Sequence, residues 1–272
     1  MNREVESCKA ASPFLKWAGG KRWLTTRFSS PPQEFTGNYF EPFLGSGAMF
    51  FYLQPRSAFL SDANSSLVET YQAIKADHSE VTSYLRTHAA QHCSDYYYQV
   101  RAMTCHNEFS RAAKFIYLNR TCWNGLYRVN QQGAFNVPIG TETKVIRCEE
   151  DLEKVAKALG FCEISTNDFE SQIDRSNEGD MVFADPPYTV RHKHNGFIEY
   201  NETLFSWDDQ VRLRDSLARA KKRGVKIMLT NADHESIRTL YSTGFSILEL
   251  SRHSAISGLV SSRGKYSELL IE

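Results

Sequence analysis

Asp185, Pro186, Pro187 and Tyr188 follow directly on the apolar run 181–184, so a carboxylate and an aromatic ring stand at the end of a strand-like segment. Two consecutive prolines hold extended backbone and supply no N–H, which leaves a turn rich in acceptors. A carboxylate and a backbone carbonyl converging there suit a planar amino group. An amine conjugated to a ring is a poor nucleophile because its lone pair is delocalised. Two acceptors on its hydrogens draw the nitrogen toward tetrahedral geometry and restore that pair. Tyr188 would stack on the ring system, a contribution of roughly 1 to 3 kcal/mol. An electrophile that is already activated then needs in-line positioning more than acid or base. A strand-ending proline turn with a capping aspartate is the plain alternative, which the tyrosine and the strand context disfavour.

A second set lies upstream. The run 38–43 leads into Phe43, Gly45, Ser46 and Gly47, and the run 57–60 leads into Asp62. Glycines let backbone approach a ligand closely at the carboxyl ends of parallel strands. The FLGSG segment lacks the full GxGxxG spacing, with Met49 and Phe50 where a third glycine would be sought, which argues against a pyrophosphate-cradling dinucleotide site. It is a ligand turn or a plain tight turn. Asp62 stands where a carboxylate accepts both hydroxyls of a ribose, or it is an acid at a helix N-terminus. Taken together, turn and acid imply an adenosine-bearing cofactor. Trp17, Gly19, Gly20 and Lys21 combine an aromatic face, a glycine hinge and a cation, suited to a small carboxylate-bearing ligand or to a linker with surface lysines.

The elements that must position these residues read as βαβ units. Helical spacing of Leu67, Val68, Tyr71 and Ile74 after Ser65, a plausible N-cap, separates the β-type runs, which predicts a parallel sheet. A helix over 208–223 stops at Gly224 before the strand 226–230. The runs 245–250 and 267–271 are expected to close the sheet as an antiparallel hairpin. Between His78 and Arg147 the rhythm changes to helices over 81–92, 94–103 and 110–120 and a small hairpin around Gly133. This inserted lobe gives the expected division 12–77 (catalytic, first part), 78–147 (lobe) and 148–272 (catalytic, second part).

The 272 residues, 41% of them hydrophobic, suffice for a sizeable core. Thirty-two basic and 32 acidic residues cancel, which excludes a partner held by bulk charge alone. No run approaches the roughly 20 apolar residues of a membrane helix, and the charged N-terminus does not resemble a signal peptide. The six cysteines lack CxxC spacing, so reduced thiols in a cytosol and no metal are expected. Neutrality hides a local patch: residues 101–147 carry seven basic residues (Arg101, Arg111, Lys114, Arg120, Arg128, Lys144, Arg147) against Glu108 and Glu142. The interleaved Trp123, Asn124, Tyr127, Asn130 and Asn136 suit stacking and hydrogen bonding to bases; the alternative is a solvated face. The polar loop 191–196 before Phe197 and Tyr200 reads as a flap over nucleic acid, with Tyr200 a second stacking partner. Arg252, His253, Arg263 and Lys265 either add backbone contacts or form an exposed loop.

From residue 13 to 271 the chain resembles the Dam-type DNA adenine-N6 methyltransferases, which use S-adenosylmethionine. The motifs PFLKWAGGK (13–21), FEPFLGSG (40–47), LSDAN (60–64) and ADPPY (184–188) occur in the family's order. The resemblance implies an α/β, Rossmann-like methyltransferase sheet, mostly parallel with an antiparallel last strand, and a mainly helical target-recognition lobe carrying a β-hairpin. It implies that Trp17, Lys21, Phe43, Gly45, Ser46, Gly47, Asp62, Asp168 and Asp185 contact the cofactor, with Asp168 near its adenine. Asp185, Pro186, Pro187 and Tyr188 would form the catalytic turn. The stretch 119–140 resembles the family's recognition hairpin, although Thr121, Cys122 and Trp123 depart from its more tyrosine-rich form. Arg128 falls at the guanine-reading position, Trp123 or Leu126 would fill the gap left by a flipped adenine, and Arg120, Asn124 and Asn136 would add DNA contacts. The implied substrate is double-stranded DNA, with GATC as target. Neither an obligatory protein partner nor a membrane is expected, a restriction endonuclease would be a genetic neighbour only, and a cytoplasmic enzyme of a prokaryote or phage follows. An RNA or protein-amide methylase, or a silent DNA-binding module, are the alternatives. The recognition hairpin disfavours the first two and the intact turn disfavours the last.

Overall fold

The computed structural model describes residues 11–28, 34–130, 132–146, 152–190, 205–253 and 265–272. Its strands are β1 (Tyr39–Glu41), β2 (Ala58–Asp62), β3 (Cys162–Thr166), β4 (Met181–Ala184), β5 (Lys226–Ala232), β6 (Ile247–His253) and β7 (Lys265–Ile271). They form a seven-stranded sheet in the order β3-β2-β1-β4-β5-β7-β6. The pairs β1 with β2, β1 with β4 and β4 with β5 are parallel, whereas β7 is antiparallel to both β5 and β6. This is the mostly parallel sheet with the antiparallel hairpin that the sequence predicts. Every residue of β4 is buried, as a central strand covered on both faces must be.

The described helices are α1 (Arg22–Thr25), α2 (Ala48–Leu53), α3 (Ser65–Gln91), α4 (Ser94–Ala102), α5 (Glu108–Thr121), α6 (Leu152–Leu159), α7 (Phe169–Asp174), α8 (Trp207–Lys222) and α9 (Glu235–Leu240). Their ends follow from local chemistry. Asn64, not Ser65, caps α3: its side chain accepts from the N–H of Leu67 at 3.1 Å, as an asparagine in extended backbone does well. Inside α3, Asp77 leaves helical geometry (φ −153°, ψ 90°) and accepts from the N–H groups of Ser79 and Glu80. The lobe helix expected over 81–92 is therefore the second half of a long, broken helix. Capping boxes start α5 (Asn107 with Ser110) and α8 (Ser206 with Asp209).

Two compact units divide the chain. One comprises Met1–Pro32, Gly45–Arg56 and Asp62–Thr166, and the other Gln33–Leu44, Ser57–Ser61 and Asn167–Glu272. The first groups the glycine turn and Asp62 with the helices after residue 78, and α3 against α5 is its most extensive helix pair. In the second, Phe40, Val182, Ile227 and Leu229 of the sheet pack with Leu213 and Leu217 of α8 and Ile237 of α9. The hairpin expected around Gly133 is reduced to two isolated antiparallel bridges, Val129 with Phe135 and Cys122 with Ile139. Gly133 sits at the tip, between Val129 and Phe135, with φ +78°. None of the described helices is long and apolar enough to cross a membrane.

Candidate active site and nucleic-acid interface

In the first unit, Gly45 takes left-handed backbone (φ +48°), and a Cβ there would stand 2.8 Å from Cδ1 of Trp17. Its N–H donates to Asp62 Oδ2 at 3.0 Å, while the N–H of Asn64 donates to Asp62 Oδ1 at 2.9 Å. The carbonyl of Gly45 accepts from the Tyr71 hydroxyl at 3.1 Å. Three chain segments thus fix one turn around one carboxylate. Burial pushes the Asp62 carboxyl above its ordinary pKa, against the opposing pull of the backbone N–H groups of Asn64, Gly45 and Ala63. Trp17 stacks on Tyr127 at 5.6 Å and on Phe115 at 6.3 Å, so the ring beside the glycine turn is braced from behind. Lys21 and Ser46 are buried, and Lys21 Nζ donates to the carbonyl of Gly19 at 2.7 Å. Gly47 caps α2 in left-handed backbone, φ +64°.

In the second unit, Asp185 leaves β4 and accepts the Thr230 hydroxyl at 2.7 Å. The Tyr188 hydroxyl donates to Glu268 at 2.7 Å. Burial first, and then the negative charges of Asp185 and Glu268, hold that phenol well above its usual pKa. Thr189 anchors the far side of the turn by donating to the carbonyl of Phe205 at 2.6 Å. Phe43 packs on Phe169 and Phe205, with ring centroids 5.4 and 5.6 Å away. Asp168 caps α7 by accepting from the N–H of Glu170, and its Oδ1 also receives Arg212 at 2.9 Å.

In the loop after α5, Trp123 is 53% exposed and Leu126 44%. Asn124, between them, is exposed in left-handed backbone (φ +56°). Arg128 is also exposed, and its Nε donates to Asn136 at 2.9 Å, so the two candidate base readers brace one another. Arg120 overturns expectation. It is 2% exposed and donates to the carbonyls of Val145 and Phe14. A guanidinium buried on two carbonyls bonds the fold and does not face solvent. The basic patch is weaker than its count for the same reason: Arg111 forms a two-pronged ion pair with Glu69, and Arg101 lies over Tyr98 and donates to the carbonyl of Val137. Tyr200, the flap 191–196, Arg147 and the side chains of Arg252, His253, Arg263 and Lys265 lie outside the described residues.

The model of the D12 class of N6 adenine-specific DNA methyltransferases matches residues 17–256. The chain belongs to that family. Among relatives of this D12-class enzyme, the Type II methyltransferase M1.LlaDCHI of Lactococcus lactis subsp. cremoris is 34% identical over 268 residues, 95% of this chain and 94% of its own. The Type II methyltransferase M.MjaIII of Methanocaldococcus jannaschii is 36% identical over 257 residues, 86% and 89% of the two chains. The DNA adenine methylase of Escherichia coli K12 is 30% identical over 268 residues, 94% and 93%. The resemblance read from the motifs is borne out, and the protein is a DNA adenine-N6 methyltransferase.

Three side chains of this D12-class methylase that touch candidate site residues were not singled out by sequence. Tyr71 reads as one more apolar position of α3. Thr230 closes an apolar strand and looks like its ordinary end. Glu268 did carry a signal, since an acid at an alternating position of the final strand is out of place unless something bonds it.

Proposed function

We propose that this methylase moves the methyl group of S-adenosylmethionine to N6 of an adenine swung out of duplex DNA, with GATC as its target. The observation that carries the reading is the Asp185 turn: a carboxylate fixed by a buried threonine, two donorless prolines and a tyrosine tethered through its hydroxyl, all at the end of β4. Bound donor supplies a methyl group already activated on a sulfonium. The residues present fit its adenosyl half. Asp62 has about four acceptor positions; the N–H groups of Gly45 and Asn64 take one on each oxygen and that of Ala63 also bears on the carboxylate, and what remains suits a ribose hydroxyl. Gly45 supports the same reading, because a side chain at that position would strike Trp17. Trp17, Lys21, Ser46 and Gly47 complete the proposed donor contacts of the first unit, and the second unit has its own proposed donor contacts in Phe43 and Asp168.

Asp185 and a turn carbonyl accept from the amine and raise its nucleophilicity. No strong base is needed first, since the nitrogen becomes acidic only once methylated. Extrusion is required because N6 inside the stack is out of reach. Exposed Trp123 and Leu126 suit the vacated space, and Arg128, with Nε tied to Asn136, keeps a terminal fork for guanine O6 and N7. Residues 78–147, less Arg120, make up the proposed DNA-reading lobe. Labelled donor with plasmid DNA and base-resolution mapping tests this: label at adenine N6 within GATC supports it, label in another sequence overturns the target, and no adenine label overturns the reaction.

A further inference from the structure

Strand register gathers polar side chains behind the Asp185 turn. Ala184 pairs with Leu229, so the following pair is Asp185 with Thr230. Across the next ladder Thr230 pairs with Leu270 and Ala232 with Glu268. Side chains alternate between faces, so Thr230 and Glu268 share one face, while Leu229 and Leu269 point to the core on the other. Thr230 is 0% exposed and Glu268 8%. An acid buried in a strand is costly unless it is bonded, and a leucine would pack there more cheaply. What the acid and the threonine do is hold the turn: Thr230 donates to Asp185 and Glu268 accepts from Tyr188, each at 2.7 Å.

We infer that Thr230 and Glu268 are positioning residues for methyl transfer, Thr230 by fixing the carboxylate rotamer of Asp185 and Glu268 by fixing the ring plane on which the extruded adenine stacks. This rests on the reading of the Asp185 turn as the grip on the amine. The phenol of Tyr188 stays protonated beside two acids, so its proton is committed to Glu268 and its ring face is what meets the base. Neither strand residue touches substrate. Each acts by removing rotational freedom from a group that does, and loss of such freedom is where orientation gains arise.

The test is steady-state methylation of a duplex by the full chain, with kcat and KM resolved for DNA and donor. Thr230→Val should lower kcat by roughly 10- to 100-fold, the loss expected for one hydrogen bond to a charged group, with both KM values within about twofold. Thr230→Ser should restore the rate. Glu268→Leu should lower kcat while Glu268→Gln, which still accepts from the phenol, keeps most of it. A duplex with 2-aminopurine at the target base adds a second readout, because stacking on a held ring quenches emission: Glu268→Leu and Tyr188→Phe should both brighten it. Tyr188→Phe leaves the strands untouched, so it decides the case should Glu268→Leu fail to fold. Wild-type kcat in Thr230→Val, failure of Thr230→Ser to restore the rate, or unchanged emission in Tyr188→Phe would overturn the inference. Asp185→Ala separates it from the reading beneath: transfer that survives Asp185→Ala removes the amine grip itself, whereas an inactive Asp185→Ala beside a fully active Thr230→Val removes only the positioning role.

Discussion

Replacing Asp62 with asparagine changes one atom and tests the donor site on three counts. Each carboxylate oxygen now receives one backbone N–H, from Gly45 and from Asn64. Asparagine has a single carbonyl oxygen, so its amide nitrogen must face one of those donors and leave it unpaired, at a cost of about 1 to 3 kcal/mol. Set against this is the penalty of the buried charge. The native pKa of Asp62 lies above its ordinary value because burial outweighs the N–H groups, so the native state holds that proton more tightly than the unfolded chain does. The associated stability is fully present below the unfolded pKa and is lost as pH rises through the native one. At neutral pH the charge therefore works against folding, and Asp62→Asn escapes that part. Net destabilisation should be the smaller for it, about 1 to 2 kcal/mol. Donor binding should suffer more, since one charge-assisted acceptor for the ribose is gone: roughly 10- to 100-fold in Kd. Wild-type affinity for S-adenosylhomocysteine should also fall as pH drops through the raised pKa of Asp62, while the variant stays flat. Calorimetric titration at neutral pH and along a descending pH series reads both effects. Equal affinity at neutral pH, or the wild-type pH slope persisting in Asp62→Asn, would remove Asp62 from the donor site.

Gly45→Ala forces an L side chain into left-handed backbone, about 1 to 2 kcal/mol, and puts its Cβ 2.8 Å from Trp17; a lowered melting temperature with weakened donor binding is expected, and an unshifted melt would mean the turn relaxes freely. Arg120→Met should destabilise the fold by about 2 to 4 kcal/mol, since two buried carbonyls lose a charged donor. Arg128→Ala should leave the melt unchanged and relax discrimination at one guanine by about 1 to 3 kcal/mol; the opposite pattern in denaturation and binding would exchange their roles. His88, bonded to Tyr96 and stacked on Tyr117, has its pKa lowered to about 4 by burial and by Lys114. Its stabilising contribution is complete above the unfolded value near 6.5 and is lost as pH falls toward about 4, in all about 3 kcal/mol. His88→Phe should flatten that dependence in urea melts at pH 7 and about pH 4.5, and an unchanged slope would place the acid sensitivity elsewhere.

Much of this was legible where local sequence and global fold agree. The runs ending at Phe43, Leu60 and Ala184 are short and apolar and lead straight into glycines or acids, so strand and function share one signal. β3 escaped notice because only Cys162 and Ile164 of its residues are buried, too few apolar positions to mark a strand at the sheet's edge. Asp77 and the long α3 escaped because helical periodicity carries on either side of the break. Arg120 misled because charge counting cannot tell a guanidinium facing solvent from one folded onto carbonyls. Side chains that act through register, Thr230 and Glu268, depend on which strands are neighbours, and β7 slots between β5 and β6 out of chain order. That order is a tertiary fact with no local mark.

The buried Arg120 has company that matters for how such proteins diversify. Its bond to Val145 is followed along the chain by the N–H of Gly140 to Thr121, the Cys122 to Ile139 bridge and the N–H of Trp123 to Pro138. These ties form a neck, closed by main chain and one guanidinium, while exposed residues such as Asn124, Leu126 and Arg128 belong to the span beyond it. The proposed reading head and the clasp are thus separate parts. Exchange of the exposed residues within 128–136 would leave the clasp shut and Tyr127 in place behind Trp17, so on the proposed function an ancestor could acquire a new DNA word by swapping one short cartridge.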